Sequence, residues 1–196
     1  LAFHLGVLRF MAERRLLERT TRISSVSGGS LVAGLLFHEA GMRWPGSGDY
    51  ISTVYPALRT KLCARSLQWG ALRQLLNPSN LRFALSRANL LALALKREWG
   101  ITERLSDLPA SPEGSTHGTT ADNGKRFRFK QGSLGDYTLG YAVPGNFPVA
   151  NALAVSAAFP AGFGPLTFDA EQFEWRRRAW DAAAEAAQVV DIGFKR

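Results

Sequence analysis

Cysteine is nearly missing from this sequence of 196 residues, in which Cys63 is the only one. A single cysteine excludes an internal disulfide framework and leaves the cellular compartment open. No catalytic motif surrounds Cys63, so we expect it to be a small buried apolar residue. We also expect no metal site and no cofactor.

Long apolar runs are missing as well. Residues 31–37 and 90–95 are the longest such runs, and they are far shorter than the roughly 20 residues that span a bilayer. The first residues, Leu1-Ala2-Phe3-His4, contain neither an initiator Met nor a charged region before an apolar core, so we do not expect them to form a signal peptide. We expect no transmembrane segment, a start inside a longer sequence, and a cytoplasmic or peripheral-membrane location.

Acidic residues are outnumbered, with 16 Asp and Glu against 24 Lys and Arg, for a formal charge of +8. This surplus favours anionic partners such as phospholipid headgroups, acidic membranes or nucleic acid. The basic residues are scattered through most of the chain, so a solvated surface also accounts for them. A nucleic-acid partner would rest on charge alone, and we do not expect one.

The hydrophobic fraction of 46% is enough for one sizeable core, and we expect a single domain over residues 1–196. Apolar periodicity predicts helices over residues 4–18, 31–40, 51–62, 80–99, 151–158 and 171–188. Strand patterns cover residues 22–26, 125–130 and 166–168, and Phe127 and Phe129 share one face of the second. The polar stretch 108–124, rich in Pro, Gly, Ser and Thr, predicts a long loop that is either mobile or the scar of a missing segment.

A candidate nucleophile lies where the first predicted strand meets a helix, in Ser25-Val26-Ser27-Gly28-Gly29. This pattern is a variant of the G-x-S-x-G elbow, which seats a serine on a strained strand-to-helix turn among small neighbours. Ser27 would be the nucleophile, Ser25 replaces the first glycine, and N–H groups at Gly28 and Gly29 would face an oxyanion. The alternative is a turn in which Ser30 and the glycines cap the helix.

Three blocks in order along the chain carry a family resemblance. They are Phe3-His4-Leu5-Gly6-Val7-Leu8 with the elbow at Ser27; Gly124-Lys125-Arg126-Phe127-Arg128-Phe129 with Gly135-Asp136-Tyr137; and Val155-Ser156-Ala157-Ala158-Phe159-Pro160, which leads to Val190-Asp191. Together they resemble the patatin-like phospholipases.

This resemblance implies an α/β fold in three layers, α/β/α, with a central sheet flanked by helices. It also implies hydrolysis of fatty-acyl esters of lipids or phospholipids by a Ser–Asp dyad through an acyl-enzyme. Carried over by position, Ser27 is the nucleophile and Asp191 the proton acceptor. His4, His38 and His117 are then structural or exposed.

The sequence departs from the family pattern at two places. Family members have a Gly-rich oxyanion loop just before the first helix, and residues 1–196 do not include one. Asp191-Ile192-Gly193 stands where the family has Asp-Gly-Gly or Asp-Gly-Ala. We therefore expect weak or no activity from this stretch alone and activity from the complete protein. The alternative is a catalytically inactive relative that binds lipid or anionic membrane surfaces.

Overall fold

In the computed structural model, the described residues are 1–64, 67–74, 76, 87–158, 164–178 and 187–189. The helices among them are α1 Ala2–Glu13, α2 Gly28–Glu39, α3 Ser47–Asp49, α4 Tyr55–Ala64, α5 Leu67–Gln74, α6 Arg87–Glu98 and α7 Val149–Ala157. A π-helical segment, Tyr50–Val54, joins α3 to α4, and short 3₁₀ turns cover Leu17–Arg19 and Leu105–Asp107.

One mixed sheet organises the described chain. Its strands are β1 Arg22–Val26, β2 Glu113–Thr119, β3 Arg126–Lys130, β4 Leu134–Asp136, β5 Gly140–Ala142, β6 Arg176–Arg178 and β7 Ala187–Val189, and they lie in this order across the sheet. The first two are parallel, and every following pair is antiparallel. A parallel pair needs a long crossover, and the helices from α2 to α6 lie in that connection.

The two faces of β1–β3 differ in character. Phe127 and Phe129 are buried on one face of β3, and the register pairs them with Gly118 and Thr116 of β2. Helices α2 and α7 pack on this face, where a core cluster of Leu, Val, Phe and Trp side chains forms. Polar side chains, including that of His117, occupy the opposite face. The architecture is a mixed α/β fold with the sheet flanked by helices, as predicted.

Strand β1 occupies the predicted residues 22–26, and β3 follows the predicted 125–130 with the expected burial alternation. Helix α2 begins at Gly28, three residues before the predicted start, so the turn at Ser27 is tighter than the apolar pattern indicated. For the helix predicted over 80–99, α6 begins at Arg87 and ends at Glu98. Residues 80–86 lie outside the described part of the chain.

The long loop predicted over 108–124 is wrong, because it contains β2, the strand between β1 and β3. This strand has no large apolar side chain to signal it. An added Cβ at Gly118 would lie 2.4 Å from Val155 of α7, and one at Gly114 would lie 3.9 Å from the Phe37 ring of α2. The close approach of α7 therefore requires glycine at position 118, whereas position 114 would make only an ordinary contact with α2.

The helix predicted over 171–188 is also wrong, since the described residues form a turn and then β6 and β7. Asp169 accepts a hydrogen bond from the Glu171 N–H (2.9 Å), which stabilises the turn. Trp175 is buried edge-on to Phe127, and Arg176 then pairs with β5. Burial of the aromatic ring overrides the helical propensity of this segment. The strand predicted at 166–168 is irregular, although Phe168 joins the same aromatic cluster.

One smaller expectation fails. Cys63 is exposed on α4 rather than buried. None of the helices in the described ranges combines the length and the apolar character needed to cross a bilayer.

Candidate active site

Ser27 occupies a strained turn between β1 and α2. Its backbone has φ +53° and ψ −126°, a region that few residues other than glycine adopt. Such a conformation costs on the order of 1–3 kcal/mol and persists only where the surroundings enforce it. The Ser27 side chain is exposed, so the strain presents a hydroxyl to solvent at the carboxyl end of a strand.

The Ser27 carbonyl starts helix α2 by accepting hydrogen bonds from the N–H groups of Ser30 (3.0 Å) and Leu31 (3.2 Å). Its hydroxyl makes no capping bond to the helix. Ser30 lies inside the helix, and its hydroxyl points to other serines rather than to the helix end. The helix-capping interpretation of this turn is therefore wrong.

The first N–H groups of a helix have no acceptor within it, and here they belong to Gly28 and Gly29. They carry the positive end of the helix dipole and lie next to the exposed Ser27 hydroxyl. An added Cβ at Gly29 would lie 3.3 Å from His4 Nε2, so the first turn of α1 packs tightly against the elbow. At Gly28 an added Cβ would make an ordinary contact of 3.9 Å with Leu1.

Ser25, which replaces the first glycine of the motif, is 8% exposed. Its hydroxyl accepts a hydrogen bond from the Ser30 hydroxyl at 3.1 Å. It also lies 3.4 Å from both the Ser115 carbonyl and the Thr116 hydroxyl of β2. The side chain at this position is therefore bonded to the neighbouring strand as well as to α2.

Ser156 on α7 contacts the elbow directly, which sequence reasoning missed. Its hydroxyl accepts the Ser27 N–H at 3.0 Å and lies 2.8 Å from the Ser30 hydroxyl. Ser156 is 129 residues from Ser27 along the chain, so spacing could not pair them. The block of small residues that contains Ser156 could have indicated close packing, but its resemblance to the family pointed to Asp191 instead.

The histidines lie away from the Ser27 turn or on its flank. His38 is near the far end of α2, about 16 Å along the axis at 1.5 Å per residue, and pairs with Glu103 at 2.6 Å. His117 lies on the sheet face opposite Ser25 and hydrogen-bonds Ser24 through Nε2 at 3.0 Å. Burial, followed by the cations Arg126, Arg128 and Lys130, lowers the pKa of His117. His4 is exposed beside Gly29.

The predicted proton acceptor, Asp191, lies outside the described residues, so the structure gives no geometry for it. A cleft lies at the carboxyl end of α2, the end opposite Ser27, and is lined by Glu39, Ala40, Arg43, Trp44, Pro45, Asp49, Thr53 and Val54. Across the described ranges, no group of three or more His, Cys, Asp or Glu is arranged to hold a metal ion.

The model of the family described as Patatin-like phospholipase matches residues 1–191, nearly the whole chain. Comparison with curated proteins and with solved structures gives no match. The family match spans the elbow at Ser27, the sheet and α7. The chain therefore belongs to the patatin-like phospholipase family.

Proposed function

We propose that the protein is a serine acyl hydrolase that cleaves fatty-acyl esters of lipids or phospholipids, with Ser27 as its nucleophile. Membership of the family implies a lipid hydrolase and a lipid substrate. The assignment of Ser27 is supported above all by its backbone, which is held at φ +53° where β1 ends and α2 begins. Residues held in costly backbone conformations cluster at functional sites, and the side chain of Ser27 is also exposed.

The proposed reaction begins with attack of the Ser27 hydroxyl oxygen on an ester carbonyl carbon. The tetrahedral intermediate then carries a negative oxygen, which the N–H groups at Gly28 and Gly29 would stabilise from the amino end of α2. Loss of the alcohol leaves an acyl-enzyme, and water hydrolyses it to the fatty acid and free Ser27.

Serine needs a base to take its proton during attack. We propose Asp191 for this role, on the resemblance of the chain to its family. The same group would return the proton to the leaving alcohol. His38 is unsuited because it lies at the other end of α2, and His117 because it lies on the opposite face of the sheet.

The test uses the full-length protein with p-nitrophenyl acyl esters and phospholipid vesicles. Ser27→Ala is expected to abolish hydrolysis and labelling by a fluorophosphonate probe. Ser24→Ala is the matched control, because it removes a hydroxyl from the preceding strand β1, on the sheet face opposite Ser25. Undiminished hydrolysis by Ser27→Ala, or labelling of another residue, would overturn the proposal.

The role of Asp191 is tested separately. Asp191→Asn is expected to reduce kcat strongly, since an amide cannot accept the Ser27 proton. Asp122→Asn, at an exposed turn position, should leave kcat unchanged. If both variants are equally active while Ser27→Ala is inactive, the base is another group and only this assignment fails.

A second candidate function is non-catalytic binding to anionic membranes, and the exposed face of β1–β3 favours it. Arg22, Arg126, Arg128 and Lys130 lie on this face, as the strand register requires. Glu113 pairs with Arg22 at 3.6 Å and with Lys130. Within the described residues, neither Arg126 nor Arg128 has an acidic partner. Near an anionic surface each such cation contributes about 1 kcal/mol.

Vesicle binding distinguishes this candidate from the enzyme. Arg126→Glu should weaken binding to phosphatidylserine vesicles at low salt, whereas Arg59→Glu, an equal charge change on α4, should not. Binding without fluorophosphonate labelling of wild type would favour the non-catalytic relative. Equal binding by both variants would remove the β1–β3 face as the membrane contact.

A further inference from the structure

We infer that Ser156, Ser30 and Ser25 form a hydroxyl relay that holds the Ser27 turn in place, and that Ser25 replaces the motif's first glycine because it completes this relay. The three serines are positioning residues in this inference, and Ser27 alone is the nucleophile. The inference rests on the proposed function of Ser27. It adds a reason for the serine variant of the elbow.

The first hydrogen bond of the relay is the one donated by the Ser27 N–H. Strand β1 ends at Val26 and the hydrogen bonds of α2 begin with the Ser27 carbonyl, so this N–H lies between the two elements. Ser156 supplies the acceptor from α7, at 3.0 Å. Because Ser27 is at a positive φ, this bond acts on the residue whose conformation is costly.

Each hydroxyl has one proton, and this sets the direction of the chain. Ser30 donates its hydroxyl proton to Ser25 at 3.1 Å. Ser156 must therefore be the donor in its 2.8 Å hydrogen bond to Ser30. Ser156 is then free to accept the Ser27 N–H. The proton of Ser25 goes to the Ser115 carbonyl at 3.4 Å, which ends the relay on the neighbouring strand.

Burial makes these bonds hard to replace. Ser25, Ser30 and Ser156 are 8%, 0% and 8% exposed, so water has little access to a partner that loses its neighbour. The relay connects β2, β1, α2 and α7 around the Ser27 turn. A glycine at position 25 would leave the Ser30 hydroxyl without its acceptor in the relay, and the hydrogen bond between Ser30 and Ser156 could then reverse its direction.

The decisive variants are Ser156→Ala and Ser25→Gly, the second of which restores the usual motif. Both are expected to lower kcat on p-nitrophenyl esters by about 10- to 100-fold, as small misplacements of a reacting group do, with KM little changed. Ser156→Thr, which keeps the hydroxyl, should recover most of the loss. Ser24→Ala is the control and should retain wild-type kcat.

Hydrogen exchange gives a reading that does not depend on activity. In Ser156→Ala the amide of Ser27 should exchange roughly tenfold faster, in line with the loss of one hydrogen bond, while amides in the middle of α2 keep their protection. The double variant Ser156→Ala, Ser25→Gly should lose less activity than the product of the single losses, because both break the same relay.

The outcomes separate this inference from the proposed function. Activity in Ser27→Ala would overturn the nucleophile and the relay's purpose together. If Ser27→Ala is inactive but Ser156→Ala and Ser25→Gly keep wild-type kcat, only the relay is overturned. If Ser156→Ala does not fold, a wild-type kcat in Ser25→Gly overturns the inference and a loss with unchanged KM supports it.

Discussion

Gly34 lies in the middle of α2, and its replacement by alanine tests the contact between α2 and α7. An added Cβ at Gly34 would lie 2.3 Å from Cδ1 of Leu153 and 2.8 Å from its Cδ2. Carbon atoms in ordinary contact are about 3.5–4.0 Å apart, so Leu153 would have to move by more than about 1 Å. Leu153 is 2% exposed, and its neighbours in the core oppose this shift.

Two opposing effects determine how much Gly34→Ala changes the free energy of unfolding. Alanine is better than glycine in a helix interior by about 1 kcal/mol. Extra volume in a packed core costs about 1–3 kcal/mol. We therefore expect Gly34→Ala to lower the free energy of unfolding by up to about 2 kcal/mol, because the packing cost exceeds the helix gain.

Gly6 provides the matched control within the same chain. It lies in the interior of α1, and an added Cβ there meets nothing within 4 Å. Gly6→Ala should raise the free energy of unfolding by about 0.5–1 kcal/mol. The helix gain is common to both variants, so the difference between them, about 1–3 kcal/mol, isolates the packing cost against Leu153.

Urea unfolding followed by circular dichroism measures both variants, with unchanged m-values as the sign that only stability changed. Leu153→Ala by itself should cost about 2–5 kcal/mol, and it should cost less in the Gly34→Ala background because the new methyl group fills part of the cavity. Equal stability of Gly34→Ala and Gly6→Ala would contradict this prediction, since α7 would then move at no energetic cost.

Three further predictions concern the sheet. Asp136 is fully buried and accepts two backbone N–H groups at 2.7 Å, so Asp136→Ala should cost about 2–6 kcal/mol in urea unfolding, at about 1–3 kcal/mol for each orphaned N–H; a loss below 1 kcal/mol would contradict this. The pKa of His117 is lowered in the folded state. As the pH falls from 6.5 to 5, the unfolded state therefore binds more protons than the folded state, and the free energy of unfolding decreases. The Tm of His117→Gln should fall less over this range than that of wild type. Phe129→Ala should cost about 3–5 kcal/mol, whereas Arg126→Ala, on the exposed face of the same strand, should stay within about 0.5 kcal/mol; similar losses in the two would show that the faces are misassigned.

Local chemistry made several features predictable. The alternation of basic residues with Phe127 and Phe129 predicted β3 because a strand buries every second side chain. Small residues around Ser27 predicted the tight turn because a serine at positive φ needs room. Both signals lie within a few consecutive residues, so no distant part of the chain was needed to interpret them.

Local patterns in the sequence were sufficient to predict the strand, turn and helix around Ser27 and, through ordered motifs, the patatin-like phospholipase family. The strand over residues 113–119 became apparent only from the tertiary structure, since Gly118 is required by the close packing of α7 rather than by strand propensity. The tertiary structure also decided that Trp175 is buried and that Ser156 reaches the Ser27 N–H. These contacts join residues far apart in the chain, and their energies arise when the elements pack, so no local pattern records them.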